Sequence, residues 1–223
     1  MKVLDKKNKI YLLDEENFNF PTLDMMKDDL VAVGGDFHPQ RLLNAYENGI
    51  FPWYIDEYNY IHWFSPQKRM IIKPEEMKVS KSLKKSVLNK GFVIKSNENF
   101  EAVMRNCSNI KRKHEDSTWI SEEFIQAYTD LHHLDIAFSI ECYLNEELVG
   151  GLYGLLIGNI FCVLIMFAKV TDASKVAFYH LCQQAEENGI KLIDCQVYND
   201  HLASLGAYEI SREKYFEILN ENV

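Results

Sequence analysis

Near the end of the chain, Leu192-Ile193-Asp194-Cys195-Gln196 sets a carboxylate and an amide two residues apart, on a strand predicted over 191–197. Alternate residues of a strand share a face, so Asp194 and Gln196 are expected side by side. Together they could assist one proton transfer, a task worth about 10²–10⁴-fold in rate. On residue types alone, a satisfied buried aspartate at a strand end is the plainer account. Other chemistry is harder to build. His132-His133 and His201 have no metal-ligand spacing. Cys107, Cys142, Cys162, Cys182 and Cys195 are widely spaced and form no C-x-x-C pair, which reads as reduced thiols in a cytosolic protein. There is no Gly-rich phosphate loop and no nucleophile elbow, and Gly34-Gly35-Asp36 reads as a tight turn. No metal and no cofactor is expected.

These side chains must be held by a chain of 223 residues that is 47% hydrophobic and 26% charged. That is enough for one large domain, or a small one attached to a larger, of ordinary globular composition. The net charge of −9 speaks against a broad nucleic-acid surface, but local basic stripes remain at Lys68-Arg69, at Lys78, Lys81, Lys84 and Lys85, and at Lys111-Arg112-Lys113. Solvated surface charge is their simpler reading. Residues 1–20 mix lysines with acids and show no signal peptide, so a cytoplasmic location is expected. The stretch 150–168 carries no charge and is long enough to span a bilayer as a helix. Its glycines at 150, 151, 154 and 158, and the Gly158-Asn159 pair between β-rich runs, read instead as a hairpin of two buried strands.

Residues 1–77 are rich in aromatics and turns and read as a small α+β domain, with one helix at 39–48 stopped by Gly49. Residues 78–223 read as a larger mixed α/β domain. Helices are predicted at 80–88, 98–107, 121–132, 172–188 and 201–205, with a last segment at 215–220. Strands are predicted at 92–95, 136–144, within 150–168 and at 191–197. That order is the order of an acetyltransferase-like domain.

Nine strings in register then resemble one family. Ala32-Val33-Gly34-Gly35-Asp36, Gly49-Ile50-Phe51-Pro52-Trp53-Tyr54, Ser65-Pro66 with Arg69, Thr118-Trp119-Ile120, Leu148 to Gly154, Met166-Phe167, Asp172 to Ala177, Asp194-Cys195-Gln196 and His201 to Ala207 are similar to leucyl/phenylalanyl-tRNA–protein transferases, from about residue 20 onward. The resemblance implies a small N-terminal α+β domain and a larger acetyltransferase-like domain. It implies transfer of Leu, Phe or Met from aminoacyl-tRNA to a protein or peptide beginning with Lys or Arg, marking it for degradation, by a monomer with no membrane partner. It places Asp194 and Gln196 beside the attacking amine. It also puts Trp53, Trp119, Tyr128, Glu141, Leu164, Met166 and Phe167 around the transferred residue and the terminal adenosine. Arg69, Lys78, Lys81, Lys84 and Lys85 become the tRNA phosphate contacts, and Lys111-Arg112-Lys113 a second choice. By themselves the aromatics read as core.

The chain departs from the family pattern at one place. Where the family reads Gly-Glu-Ser, this sequence has Val163-Leu164-Ile165. The family's Glu, which holds the α-ammonium of the transferred amino acid, is Leu164. Nearby, the family's His is Phe138 and a Trp is Tyr143. Removing a charge-assisted hydrogen bond costs about 1.5–3 kcal/mol. Three outcomes are open: Glu141 or a backbone carbonyl takes the ammonium and transfer continues; the chain is an acyltransferase for a donor without an ammonium; or it binds tRNA or peptide without catalysis.

Overall fold

The computed structural model describes residues 1–14, 16–108 and 121–223. Trp119, Thr118, Ile120 and the basic run 111–113 lie outside the described residues. In chain order the first strands and helix are β1 (Lys2–Asp5), β2 (Ile10–Leu13), β3 (Leu30–Gly34), α1 (Pro39–Glu47), β4 (Phe51–Ile55) and β5 (Ile61–Phe64). They are followed by β6 (Lys68–Ile72), α2 (Lys81–Asn89), β7 (Val93–Ser96), α3 (Phe100–Ser108), α4 (Glu122–His133), β8 (Ala137–Leu144) and β9 (Glu147–Ile157). The chain continues as β10 (Ile160–Ala168), α5 (Ala173–Glu187), β11 (Leu192–Gln196), α6 (Asp200–Ser204), β12 (Tyr208–Ser211) and α7 (Arg212–Asn222).

The helix starts follow side-chain capping. Ser80, Ser121 and Ser211 each accept a hydrogen bond from a backbone N–H three residues on, at 3.1, 3.1 and 3.2 Å, satisfying donors that a helix leaves free. The uncharged stretch is the expected hairpin: β9 and β10 pair antiparallel about the Gly158-Asn159 turn. Among the described residues no helix is long and apolar enough to cross a membrane.

Two mixed sheets result, with strand orders β1-β2-β3-β5-β4 and β12-β6-β11-β10-β9-β8-β7. In the larger sheet only β10 and β11 are parallel, joined through α5, and their pairing runs from Ile160–Leu192 to Cys162–Asp194. Beyond that point β10 continues to Ala168 while β11 stops at Gln196. The acetyltransferase-like order expected for the larger part therefore appears as a crossover helix between two central strands that part company. β6 lies inside this sheet, so strand pairing moves the chain from the small sheet to the large one between Phe64 and Lys68, ahead of residue 77.

Each face of the large sheet has its own cover. One face packs Ile140, Leu152, Phe161, Val163, Ile193 and Cys195 against α5 and α2. The other carries Ala137, Tyr153, Leu155, Cys162 and Leu192, in one apolar cluster with Val103 of α3, Phe124 of α4, Tyr215 of α7, and Ala32, Phe51 and Trp63 of the small sheet. The small sheet thus has no core separate from the large one.

Close approach inside the hairpin depends on Gly154. A Cβ there would lie 2.3 Å from the Cys162 carbonyl oxygen and 2.5 Å from the Phe161 ring, so the strands could not keep their spacing. Gly154→Ala is expected to destabilise the protein by about 1–3 kcal/mol, the usual cost of overpacking. Its denaturant midpoint should fall; an unchanged midpoint would show that the hairpin absorbs the methyl.

Candidate active site

Where β10 and β11 part, Asp194 is fully enclosed and every acceptor direction of its carboxylate is occupied. Arg69 of β6 donates to Oδ1 through Nε at 2.8 Å and to Oδ2 through a terminal nitrogen at 2.6 Å, a bidentate pair. The Tyr215 hydroxyl donates to Oδ2 at 3.0 Å, and the Gln196 backbone N–H to Oδ1 at 2.9 Å. Arg69, 1% exposed, also donates to the Gly49 carbonyl at 3.0 Å, and its guanidinium lies 4.7 Å from the Phe51 ring centroid and 4.5 Å from that of Tyr215. Burial alone would pull the guanidinium pKa down, but the facing Asp194 charge holds it above its ordinary value. Gly49 must be glycine: its φ is +64°, and a Cβ would press into Phe216 at 2.9 Å.

Gln196 meets Asp194 through its backbone N–H, not through the shared strand face expected of alternate residues. The β6–β11 register shifts between Asp194 and Gln196, and Gln196 has a φ of +64°, so the simple alternation of the strand ends here. Gln196 is 8% exposed, and its side-chain amide makes no hydrogen bond to another described residue. The carboxylate is committed to the protein; the amide is available.

Among the expected lining residues, Trp53, Leu164 and Ile165 are half-buried and pack on the cluster that holds Cys162. A register shift between Val163 and Ile165 makes Leu164 a bulge residue. Met166 packs with the opposite cluster, on the α5 face, so it stands apart from Leu164. Tyr128 is 0% exposed; its hydroxyl bonds Tyr46 at 2.8 Å and its ring stacks on Phe124, so it stands behind the exposed layer. Phe167 is buried likewise. Glu141 is also 0% exposed. Its Oε1 accepts from Ser139 Oγ at 2.5 Å and from the Asn99 N–H at 3.4 Å, while Oε2 has no partner among the described residues. It pairs across β9 with Gly151, which pairs with Phe167, two strands from Leu164. Trp119 lies outside the described residues.

The basic residues separate cleanly. Lys78, Lys81, Lys84 and Lys85 are exposed, the last three on one side of α2. Arg69, expected beside them as a phosphate contact, is instead the buried partner of Asp194. Its place in the run Arg69-Met70-Ile71-Ile72 is the signal for this, because an arginine heading an apolar strand needs an internal anion. Tyr215 and Gly49 were not among the expected site residues, and nothing in their spacing marks them. The cysteines carry no nucleophile: burial pushes the Cys142 and Cys182 thiols up to about 12 and raises Cys107, Cys162 and Cys195 well above the usual range.

A free amide beside a clamped carboxylate, at the point where two parallel strands separate, is equipped for moving an acyl group onto an amine without a covalent intermediate. Family models and named relatives point to one enzyme family. The family model for "Leucyl/phenylalanyl-tRNA protein transferase" matches residues 71–220, and that for the N-terminal domain of the same family matches 35–67. The leucyl/phenylalanyl-tRNA–protein transferase of Flavobacterium johnsoniae is 45% identical over 94% of this chain and 99% of its own. The enzyme of the same name from Dechloromonas aromatica is 48% identical over 88% and 85%, and that from Sulfurimonas denitrificans 46% over 94% and 90%. Among solved structures, FemX aligns with 79% of this chain and 70% of its own at 12% identity and a TM-score of 0.49. The chain belongs to the leucyl/phenylalanyl-tRNA–protein transferase family.

The Tyr46–Tyr128 contact ties α1 of the small sheet's unit to α4. Removing one hydroxyl leaves the other buried and unpaired, at about 1–3 kcal/mol, whereas removing both can be nearly neutral. Tyr46→Phe and Tyr128→Phe should each lower stability, and the double variant should lose clearly less than their sum. Additive losses in urea melts would deny the coupling.

Proposed function

We propose that this chain transfers an aminoacyl group from the ester of a tRNA to the N-terminal amine of an acceptor protein or peptide. The transferred residue is Leu, Phe or Met, and the acceptor begins with Lys or Arg. The chain acts in the cytoplasm as a monomer, with the small-sheet unit and the larger unit dividing near residues 65–67. The observation that carries this reading is the family match over both units, together with a site built of Asp194 and Gln196 at the parting of β10 and β11.

The reaction needs little from the protein. The ester is already activated, and a peptide α-amine has a pKa of about 8, so a useful fraction is neutral at cellular pH. The amine nitrogen bonds to the ester carbonyl carbon, the carbon–oxygen bond to the tRNA ribose breaks, and the proton leaving the nitrogen is taken up by the ribose oxygen. Holding the two reactants together supplies several kcal/mol, part of the roughly 7–11 available to well-oriented pairs. Gln196 offers its amide oxygen to the incoming N–H. Asp194, with its acceptor directions filled and its charge matched by Arg69, holds the Gln196 backbone in place.

The ammonium of the donor is the open requirement, since Leu164 stands where the family has a carboxylate. Glu141 is enclosed and two strands away, which favours backbone carbonyls of β10. Past Cys162 that strand has no β11 partner, and the bulge at Leu164 turns its backbone. A neutral backbone acceptor carries no charge to match the ammonium, so donor affinity is lower than a carboxylate would give.

Incubation with charged Leu-tRNA, Phe-tRNA and Met-tRNA and a peptide beginning with Lys or Arg should label the peptide. No label at any enzyme concentration would remove the proposal. Leu164→Glu should lower KM for the charged tRNA about tenfold or more, and an unchanged or raised KM would show that the ammonium is held elsewhere.

The lysine face of α2 is the proposed phosphate contact. Replacing Lys78, Lys81, Lys84 and Lys85 by Gln should weaken tRNA binding and flatten its salt dependence, by about 0.9 in the log–log slope for each duplex phosphate that is no longer neutralised. KM for the peptide should not change. A salt slope equal to that of the unaltered protein would place the tRNA on another face.

A further inference from the structure

We infer that Arg69 and Tyr215 are positioning residues of the transfer reaction, acting through Asp194 on Gln196. The inference rests on the proposed aminoacyl transfer and extends it to two side chains that touch no substrate. Gln196 sits at a φ of +64°, in the left-handed region that a non-glycine residue adopts only when its surroundings impose it. The imposed contact is visible: its N–H is held by Asp194 Oδ1 at 2.9 Å, and the ladder to β6 slips at this step so that Gln196 pairs with Met70. Where the amide side chain points therefore follows from where the Asp194 carboxylate is fixed.

Asp194 does not fix itself. Its two oxygens are set by Arg69 from β6 and by Tyr215 from α7. Arg69 is in turn held by the Gly49 carbonyl, at the end of α1, and flanked by Phe51 of β4. Two other elements thus meet on one carboxylate and two more brace the guanidinium that holds it, and the polar group left uncommitted at their end is the Gln196 amide. The Tyr215 hydroxyl is buried, and its pKa is raised well above the ordinary tyrosine value, first by burial and then by the Asp194 charge. It acts as a hydrogen-bond donor and exchanges no proton with substrate.

Tyr215→Phe removes one hydroxyl and keeps the ring beside Arg69, which makes it the decisive variant; Arg69→Lys keeps the charge and loses the bidentate geometry. In the folded Tyr215→Phe protein, kcat should fall about tenfold while KM for tRNA and for peptide stays within about twofold. Arg69→Lys should fall further. In a Gln196→Ala background the Tyr215→Phe change should have little additional effect, because both act on the same group. A readout without turnover accompanies these: hydrogen exchange at the Gln196 N–H should accelerate about tenfold or more in Tyr215→Phe, while Ile193 keeps its protection. Full kcat in Tyr215→Phe, losses that multiply with those of Gln196→Ala, or unchanged exchange at Gln196 would each overturn the inference. Absence of transfer in the unaltered protein would reject the proposed function, and the exchange measurement would still decide whether the clamp sets Gln196.

Discussion

The ion pair between Arg69 and Asp194 is the constraint around which the molecule is arranged. Two charges taken wholly out of water are costly unless each is matched and hydrogen-bonded, and removing either partner of such a pair typically costs about 3–5 kcal/mol. Here the match is complete: the carboxylate accepts four hydrogen bonds, and the guanidinium is shared between that carboxylate, a backbone carbonyl and two aromatic rings. To satisfy one pair, β6 must lie beside β11, α7 must return across them, and the end of α1 must reach in from the small sheet. The site is consequently assembled from the two ends of the chain.

Much of this architecture was legible in the residues. The helices were legible in chain order, and the uncharged stretch was marked as a hairpin by Gly158-Asn159. Their observed limits lie within a few residues of those expected. Strands of the first seventy residues were less legible, since β1, β2, β4 and β5 are four or five residues each and owe their form to pairing with partners distant in sequence. β6 was missed for the same reason, and with it the meaning of Arg69. A basic residue beside Lys68 reads as surface, yet the apolar run Met70-Ile71-Ile72 that follows it is what carries it inward.

The candidate site shows the same division. Asp194 and Gln196 could be picked out as a pair, but their separate duties could not, because a strand pattern predicts a shared face and says nothing of a ladder slip or a left-handed residue. Tyr128, Glu141 and Phe167 came from the family resemblance; the structure puts all three beneath the exposed layer, where they support it. The replacement at Leu164 was plain in the sequence. What the sequence did not show is that Leu164 occupies a bulge, so the altered side chain coincides with an altered backbone.

The single apolar cluster running from Ala32 and Trp63 to Cys162 and Tyr215 has one further consequence. The small sheet has no inside of its own, while the larger sheet keeps a second apolar layer beneath α5. Warming therefore cannot leave the small sheet standing once the larger one has come apart.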